Sequence, residues 1–298
     1  MKASFKHFMA GLIDYAGLFP PASLDIDTAL RSYAGYLAGE HGWMLGRFVV
    51  PASQLHRVVP AAQFRFSVIV SANVAEEEMD RLGSFTGAVE TVETRLADGA
   101  DSPALVSDQL LQVKNRLDQA GLRGVQLFVE TGTSAAQAIA SFNGSGAGGK
   151  VIKQVGYKLR CGGMEKQAFP APEKVAEAIG ICLGHDIAMK FTAGLHHPLR
   201  NYAPEPGAMQ HGFINVFGAA LLSWGCTLSF DETVQCLTDD NAGHFDFREE
   251  GFSWRDKTIS ASEMKRLRQS KAISFGSCSF DEPVEGLRSL GFLGNAGA

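Results

Sequence analysis

The sequence lacks the marks of several large protein classes. Its net charge is −5, whereas nucleic-acid-binding domains usually present a basic surface. No apolar run approaches the ~18–20 residues of a transmembrane helix. The first ten residues include lysines but no long apolar stretch of the kind found in secretory signals. We therefore expect a cytoplasmic protein that binds neither nucleic acid nor membranes.

Cysteine is scarce and dispersed, and several ligand-binding motifs are missing. The five cysteines form no C-x-x-C pair, which favours reduced thiols over disulfides or a structural zinc site. Cys161 and Cys278 follow predicted strands, so a chemical role for either stays open. No G-x-G-x-x-G follows the first strand, which disfavours a dinucleotide-binding fold. The glycine-rich run at 143–149 lacks the G-K-[ST] ending of a phosphate loop, and we expect a flexible loop there.

What the sequence has is a regular alternation of apolar strands and helical patterns. Near-continuous apolar strands separated by helices are typical of a parallel sheet covered by helices. Eight units in 298 residues predict an α/β protein, a single-domain (β/α)8 TIM-type barrel, with an insertion at about 238–257. An open doubly wound sheet is the alternative. The predicted strands are 12–19, 45–50, 64–70, 88–94, 124–130, 155–160, 187–193 and 272–278, and the clearest helices are 25–38, 107–120, 172–183, 213–224 and 281–290.

Two of these strands carry lysine among hydrophobic neighbours. Side chains alternate along a strand, so Lys158 and Arg160 share one face, and Lys190 and Thr192 share one face of the next strand. A buried lysine is costly unless it is paired or used. Three readings stay open. The lysines form ion pairs with Glu130 or Glu93, they bind an anion, or Lys158 is a reactive amine whose pKa Lys190 lowers.

Further candidate site residues follow other strands, at the barrel end where functional groups gather. Glu130 shares a strand face with Gln126 and Phe128, and we expect it to be a catalytic carboxylate. His196 and His197 are candidates for moving protons, because histidine titrates near neutral pH. The expected substrate-binding residues are Arg160, Arg47, Asp14, Thr192, Ser277 and Ser279. The two serines have an alternative role as caps of the last helix.

No cofactor is expected in the main interpretation, and no metal ligands are assigned. The alternative is one divalent metal ion, held by His196 or His197 together with Glu130 and Asp14. The chain has no H-x-H or H-E-x-x-H pattern to reinforce this alternative. The absence of a G-x-S-x-G elbow around Ser277 likewise argues against a serine-hydrolase triad.

The two lysine-bearing strands resemble the sixth and seventh strands of class I aldolase barrels of the deoxyribose-phosphate aldolase type. The resemblance implies that Lys158 forms the Schiff base, that Lys190 tunes it, and that Gly194 belongs to a phosphate-side turn. Over the full length, four segments resemble a bacterial family of uncharacterised proteins, which implies no activity. These segments are Ala-Gly-Leu-Phe-Pro-Pro-Ala, Lys-Leu-Arg-Cys-Gly-Gly, Ala-Gly-Leu-His-His-Pro and Ser-Phe-Gly-Ser-Cys-Ser-Phe-Asp-Glu-Pro.

Together these patterns predict an enzyme that acts on a small anionic carbonyl or phosphorylated metabolite, namely a Schiff-base lyase or aldolase. Two alternatives stay open. One is a metal-dependent hydrolase or lyase on the same barrel, and the other is a non-catalytic barrel that binds an anionic metabolite. The expected partner in each case is a small anionic metabolite, and the chain is a candidate for homo-oligomer formation.

Overall fold

The computed structural model describes residues 1–59, 61–71, 76–96 and 102–293. Eight parallel strands form a closed barrel in the spatial order β1-β13-β7-β6-β5-β4-β3-β2. The prediction of a (β/α)8 barrel is confirmed. The strands in chain order are β1 (Ile13–Tyr15), β2 (Leu45–Pro51), β3 (Phe66–Ile69), β4 (Val89–Arg95), β5 (Val125–Glu130), β6 (Ile152–Arg160), β7 (Met189–Thr192), β8 (Asn201–Ala203), β9 (Ala208–Gln210), β10 (Phe245–Phe247), β11 (Gly251–Trp254), β12 (Lys257–Ser260) and β13 (Ala272–Ser277).

Helices surround the barrel, and none in the described ranges is long and apolar enough to cross a membrane. Local signals fix several helix starts: the Asp25 side chain accepts hydrogen bonds from two backbone N–H groups of the first turn of α2. The helices are α1 (Ala3–Met9), α2 (Ile26–Ala38), α3 (Glu76–Gly83), α4 (Pro103–Gln119), α5 (Ala136–Ser145), α6 (Pro172–Gly184), α7 (Phe213–Cys226), α8 (Phe230–Thr238), α9 (Ala261–Ser270) and α10 (Asp281–Ser289). The nearly all-apolar α7 is buried between α6, α8 and α9 and belongs to the core.

The segment expected as an insertion forms an antiparallel sheet of β10, β11 and β12. Phe247 and Phe252 of this sheet pack against Phe8 of α1, with ring centroids 5.2 and 5.3 Å apart. Helix α1 precedes β1 and α9 precedes β13, so these contacts lie at the amino-terminal end of the barrel. The segment therefore packs at the end opposite the carboxyl ends of the strands.

The barrel interior is divided into an apolar layer and a charged layer. Phe128, Ala188 and Ile273 form a separate apolar cluster, and Gly156 is paired with Phe128 in the sheet. A Cβ atom on Gly156 would lie 2.4 Å from the Phe128 ring, so only glycine leaves room for that ring. Glu130 and Lys158 lie two residues beyond Phe128 and Gly156 on the same strands, and they are paired with each other. The charged layer begins at this level of the barrel.

Candidate functional site

A cavity of about 260 Å³ opens at the carboxyl end of the barrel strands. Apolar side chains, including Phe19, Val49 and Met164, form much of its wall. The polar groups that line it come from several different strands. They are Glu93, Lys158, Arg160, Thr192, His196 and Ser277. An apolar cavity with a few convergent polar groups is the usual form of a small-molecule site.

Glu93 joins the two lysines at the base of this cavity. Its Oε2 atom lies 2.9 Å from Lys158 Nζ, and its Oε1 atom lies 2.8 Å from Lys190 Nζ. Sheet register places Lys158 directly beside Lys190, so one carboxylate can reach both amines. Both lysines point into the barrel from the same level, and the expected convergence of cations is present. Of the three interpretations of these lysines, ion pairing with Glu130 or Glu93 matches these contacts.

Lys190 is held below the cavity floor by a complete set of partners. It forms an ion pair with Asp14 and donates a hydrogen bond to Ser67 Oγ at 3.2 Å. Ser67 in turn donates to Glu93 at 2.6 Å, and Ser274 donates to Asp14 at 2.7 Å. Three acceptors meet the three N–H groups of the ammonium, as a buried lysine requires. Lys190 does not line the cavity and has a structural role in this layer.

Lys158 is a stable ammonium ion. Burial opposes its charge, but the charges of Glu93 and Glu130 and their hydrogen bonds outweigh burial, so the pKa of Lys158 is raised. A Schiff-base lysine needs the opposite shift, because only the neutral amine attacks a carbonyl. The same pairing acts on the carboxylates: although burial favours their neutral forms, the adjacent cations lower the pKa of Glu93 and of Glu130.

Glu130 and Arg160 form the rim of the charged layer. Glu130 Oε2 lies 3.3 Å from Lys158 Nζ, and Glu130 Oε1 accepts a hydrogen bond from Arg160 Nε at 3.0 Å. The Arg160 side chain is 50% exposed, so part of its guanidinium faces the solvent-filled mouth. A guanidinium offers five N–H donors in a planar fork suited to carboxylate and phosphate groups. Arg160 is therefore a polar group that an entering anion can reach.

The two adjacent histidines occupy different environments. His196 lines the cavity, and its Nδ1 atom lies 2.8 Å from Glu282 Oε2 of α10. His197 is half-buried outside the cavity lining, and burial together with His196 lowers its pKa. Its backbone carbonyl accepts the Phe213 N–H at the start of α7. The structure thus brings His196 into the site, whereas His197 positions the turn.

The remaining predicted residues are divided between the two ends of the barrel. Thr192 and Ser277 line the mouth cavity. Ser277 donates a hydrogen bond to the Ser279 carbonyl, and Ser279 Oγ accepts the Glu282 N–H, so both residues shape the entry to α10. Asp14 lies inside the barrel and forms an ion pair with Lys190. Arg47 is not among the mouth-lining residues and instead lines a cavity at the amino-terminal end, because it sits early in β2.

The cysteines near the mouth are protonated thiols. Burial raises the pKa of Cys161 to about 12, and burial also raises the pKa of Cys278. A thiol reacts mainly as the thiolate. Neither thiol is therefore an activated nucleophile.

The alternative metal centre does not assemble. Asp14 is bound to Lys190, Glu130 to Lys158 and Arg160, and His196 to Glu282. Among residues 1–59, 61–71, 76–96 and 102–293, no group of three His, Cys, Asp or Glu side chains could hold a metal ion. Of the donors that this alternative required, Asp14 and Glu130 are already paired with cations, and His196 is paired with Glu282.

Three functional partners were missed in the sequence, namely Ser67, Ser274 and Glu282. Ser67 is the one hydroxyl residue of β3, and Ser274 stands between Ile273 and Phe275 in β13. A hydroxyl residue between apolar neighbours in a strand is a signal for an inward polar contact. Glu282 lies in the first turn of α10, and nothing in its local sequence connects it with His196. That pairing depends on the closure of the barrel between β7 and β13.

Comparison with known proteins gives little beyond the architecture. No family model matches the chain, and no curated protein matches it. Among solved structures, the chain is similar to an aldo-keto reductase from Bacillus halodurans in its holo form. The TM-score is 0.30 at 10% sequence identity, with 89% of this chain and 93% of the other covered. A likeness at this level carries no argument about activity.

The prediction of a Schiff-base lyase or aldolase is wrong. The physical reason lies in the site, where Glu93 and Glu130 hold Lys158 as an ammonium ion. In the sequence the two lysines looked like neighbours that repel each other's charge. In the structure a carboxylate lies between them and reverses the direction of the pKa shift.

Proposed function

We propose that the barrel mouth is the active site of an enzyme that removes a proton from a small carboxylic acid. The observation behind the proposal is that the cavity combines a fixed ammonium ion, Lys158, with His196. Only Nδ1 of this histidine has a hydrogen-bond partner among the described residues. A base and a charge-stabilising cation in one apolar cavity are the minimum that such a reaction requires.

Arg160 binds the carboxylate of the substrate in this proposal. Its guanidinium lies at the rim, half-exposed, and is oriented by two contacts with Glu130 at 3.0 and 3.4 Å. The Thr192 hydroxyl lines the same cavity and is a further donor for the substrate. The apolar wall lowers the local dielectric, which strengthens the attraction between these cations and an anion.

His196 acts as the base and Lys158 stabilises the product of proton removal. The C–H bond beside the carboxylate breaks, its proton goes to His196 Nε2, and the electron pair moves toward the carboxylate oxygens. Glu282 holds the Nδ1 side of the ring and supports the charge that forms on it. Contacts with Glu93 and Glu130 use two of the three N–H groups of the Lys158 ammonium, which leaves one to donate to the developing negative charge. Return of the proton gives exchange or isomerisation.

Hydrogen–deuterium exchange tests the proposal directly. The protein in D₂O is incubated with a panel of small 2-hydroxy and dicarboxylic acids, and the proton NMR signal beside the carboxylate is followed. We expect exchange with at least one member, slowed about 10²–10⁴-fold by His196→Gln. His185→Gln is the matched control, since His185 lies at the opposite end of the barrel, between α6 and β7. Equal exchange in the His196 variant and the wild type would overturn the assignment.

We also propose that the protein works in the cytoplasm. All five cysteines are free thiols, and four of them are buried. Reduced thiols are typical of a compartment kept reducing by glutathione and thioredoxin. Localisation of a tagged copy by cell fractionation tests this proposal.

A further inference from the structure

A second cavity opens at the amino-terminal end of the barrel, away from the proposed active site. Its volume is about 390 Å³, and its charged lining consists of Arg47, Arg65, Arg268 and Glu90. Three positive charges and one negative charge give a local net charge of +2, in a chain whose total is −5. A cavity with this balance attracts anions.

The Arg47 guanidinium is the best evidence for a missing partner. Its side chain is only 17% exposed, and its Nη1 atom lies 3.7 Å from Asp14 Oδ1, too far for a hydrogen bond. Its Nε atom lies 3.0 Å from Glu90 Oε2 but lacks the alignment of a hydrogen bond. In the described part of the chain, no acceptor takes a hydrogen bond from this guanidinium. Such buried donors normally have partners.

Arg268 adds a positive charge without a carboxylate beside it. Its guanidinium is buried and donates to the backbone carbonyls of Phe8, Ala10, Ala272 and Ile273. These contacts tie α1 to the start of β13, but carbonyl groups carry no net charge. Among the described residues no Asp or Glu forms an ion pair with Arg268. Burial lowers the pKa of Arg268, and the charge of nearby Asp14 raises it. Because Asp14 is itself paired with Lys190, Arg268 still adds positive charge to the cavity wall.

Glu90 does not neutralise the cavity. Its carboxylate is shared between Arg47 Nε at 3.0 Å and Arg65 Nε at 3.4 Å. Glu90 therefore holds the two guanidinium groups beside each other. Gln126 and Gln269 line the same cavity and offer amide N–H groups in addition.

We propose that this amino-terminal cavity is a binding site for a small oxyanion with two negative charges, a phosphate or a dicarboxylate. The Nη groups of Arg47 and the Nη2 group of Arg65 supply the N–H groups that meet its oxygens, because Arg65 Nη1 already donates to backbone carbonyls. Arg268 adds positive charge to the cavity wall. Arginine forks match the geometry of both anion types. The site is separate from the mouth cavity, since none of its charged residues lines that cavity.

Isothermal titration calorimetry at constant ionic strength tests the proposal, with inorganic phosphate in one arm and malonate in the other. Constant ionic strength is needed because salt screens exposed charges. We expect saturable binding of at least one anion to the wild type and about tenfold or more weaker binding to Arg65→Gln. Arg65 is 45% exposed, so this substitution leaves the barrel core intact. Arg47→Gln, which removes the guanidinium that lies between Asp14 and Glu90, should weaken binding further.

Two matched controls locate the binding. Arg266→Gln removes an exposed arginine of α9 that is paired with Glu263, and Arg160→Gln removes the cation at the mouth. Arg266→Gln should bind both anions as the wild type does. Arg160→Gln should keep the binding that depends on Arg65 and lose only separate binding of a carboxylate at the mouth. Loss of binding in Arg160→Gln but not in Arg65→Gln would place the anion at the mouth and overturn the proposal. Absence of binding for both anions would overturn it as well. The proton-exchange assay is independent of either result.

Discussion

Glu93 Oε2 lies 2.9 Å from Lys158 Nζ inside the barrel, and this contact decides the chemistry open to the lysine. The carboxylate keeps the amine protonated, so Lys158 can attract an anion but cannot act as a nucleophile at neutral pH. Breaking a buried pair costs far more than the pair contributes in net stability, because one charge is left without a partner.

Removal of the Glu93 charge should therefore destabilise the fold. In Glu93→Gln, Lys158 keeps Glu130 and Lys190 keeps Asp14, but each lysine loses one carboxylate contact. We expect the free energy of unfolding to fall by about 3–5 kcal/mol. Urea denaturation followed by circular dichroism measures the change.

The control for this variant is Glu263→Gln on α9. Glu263 pairs with Arg266 at the surface, and such a pair contributes about 0–1 kcal/mol. A loss for Glu93→Gln no larger than for the control would contradict the role assigned to the buried layer.

The charged layer should also make stability depend on pH. The folded-state pKa values of Glu93 and Glu130 are lowered by the adjacent cations, although burial acts against this. Their stabilisation is present above the unfolded-state value of about 4.3 and is lost as the pH falls below it. Lys158, whose pKa is raised, stabilises the fold below about pH 10.4 and loses this effect as the pH rises through its folded-state value.

Denaturation midpoints at pH 7, 4 and 3 measure the acid limb. The loss between pH 7 and pH 3 should be smaller in Glu93→Gln than in the wild type, since one of the titrating groups is gone. An identical acid loss in both proteins would show that other carboxylates govern it.

Arg160→Gln should affect ligand binding without affecting the fold. The Arg160 side chain is half-exposed, so its loss leaves no buried charge in the core. We expect about tenfold weaker binding of the carboxylate substrate, measured as a rise in KM with a smaller change in kcat. The free energy of unfolding should stay within about 0.5 kcal/mol of the wild-type value. An unchanged KM would remove Arg160 from the substrate site.

The thiols should differ in reactivity according to burial. Cys226 is partly exposed, whereas Cys161, Cys182 and Cys236 are buried, and burial raises the pKa of each. Treatment of the native protein with iodoacetamide, followed by peptide mass spectrometry, should label Cys226 first. Equal labelling of all five cysteines in urea is the control. Faster labelling of Cys161 than of Cys226 would contradict the buried position of Cys161.

Some of the site could be predicted from the sequence because strands impose a period of two on their side chains. That period places Lys158 with Arg160 and puts Glu130 on the face of Phe128. Glu93, named from the sequence as a possible partner of the lysines, also lies inside the barrel. Arg47 shows the limit of this reasoning. Its face was predictable, but its height along the barrel depends on the stagger between β1 and β2.

The sequence by itself determined the barrel, because apolar strands and amphipathic helices alternate in a pattern that buries both faces of a closed sheet. It also determined that basic side chains from β6 and β7 point inward. Only the tertiary structure decided the protonation state and the role of these side chains. Contacts between residues far apart in the chain, such as Asp14 with Lys190, fix which charges are paired. Pairing sets the pKa of each group, and no local pattern encodes it, because it arises from distance across the barrel.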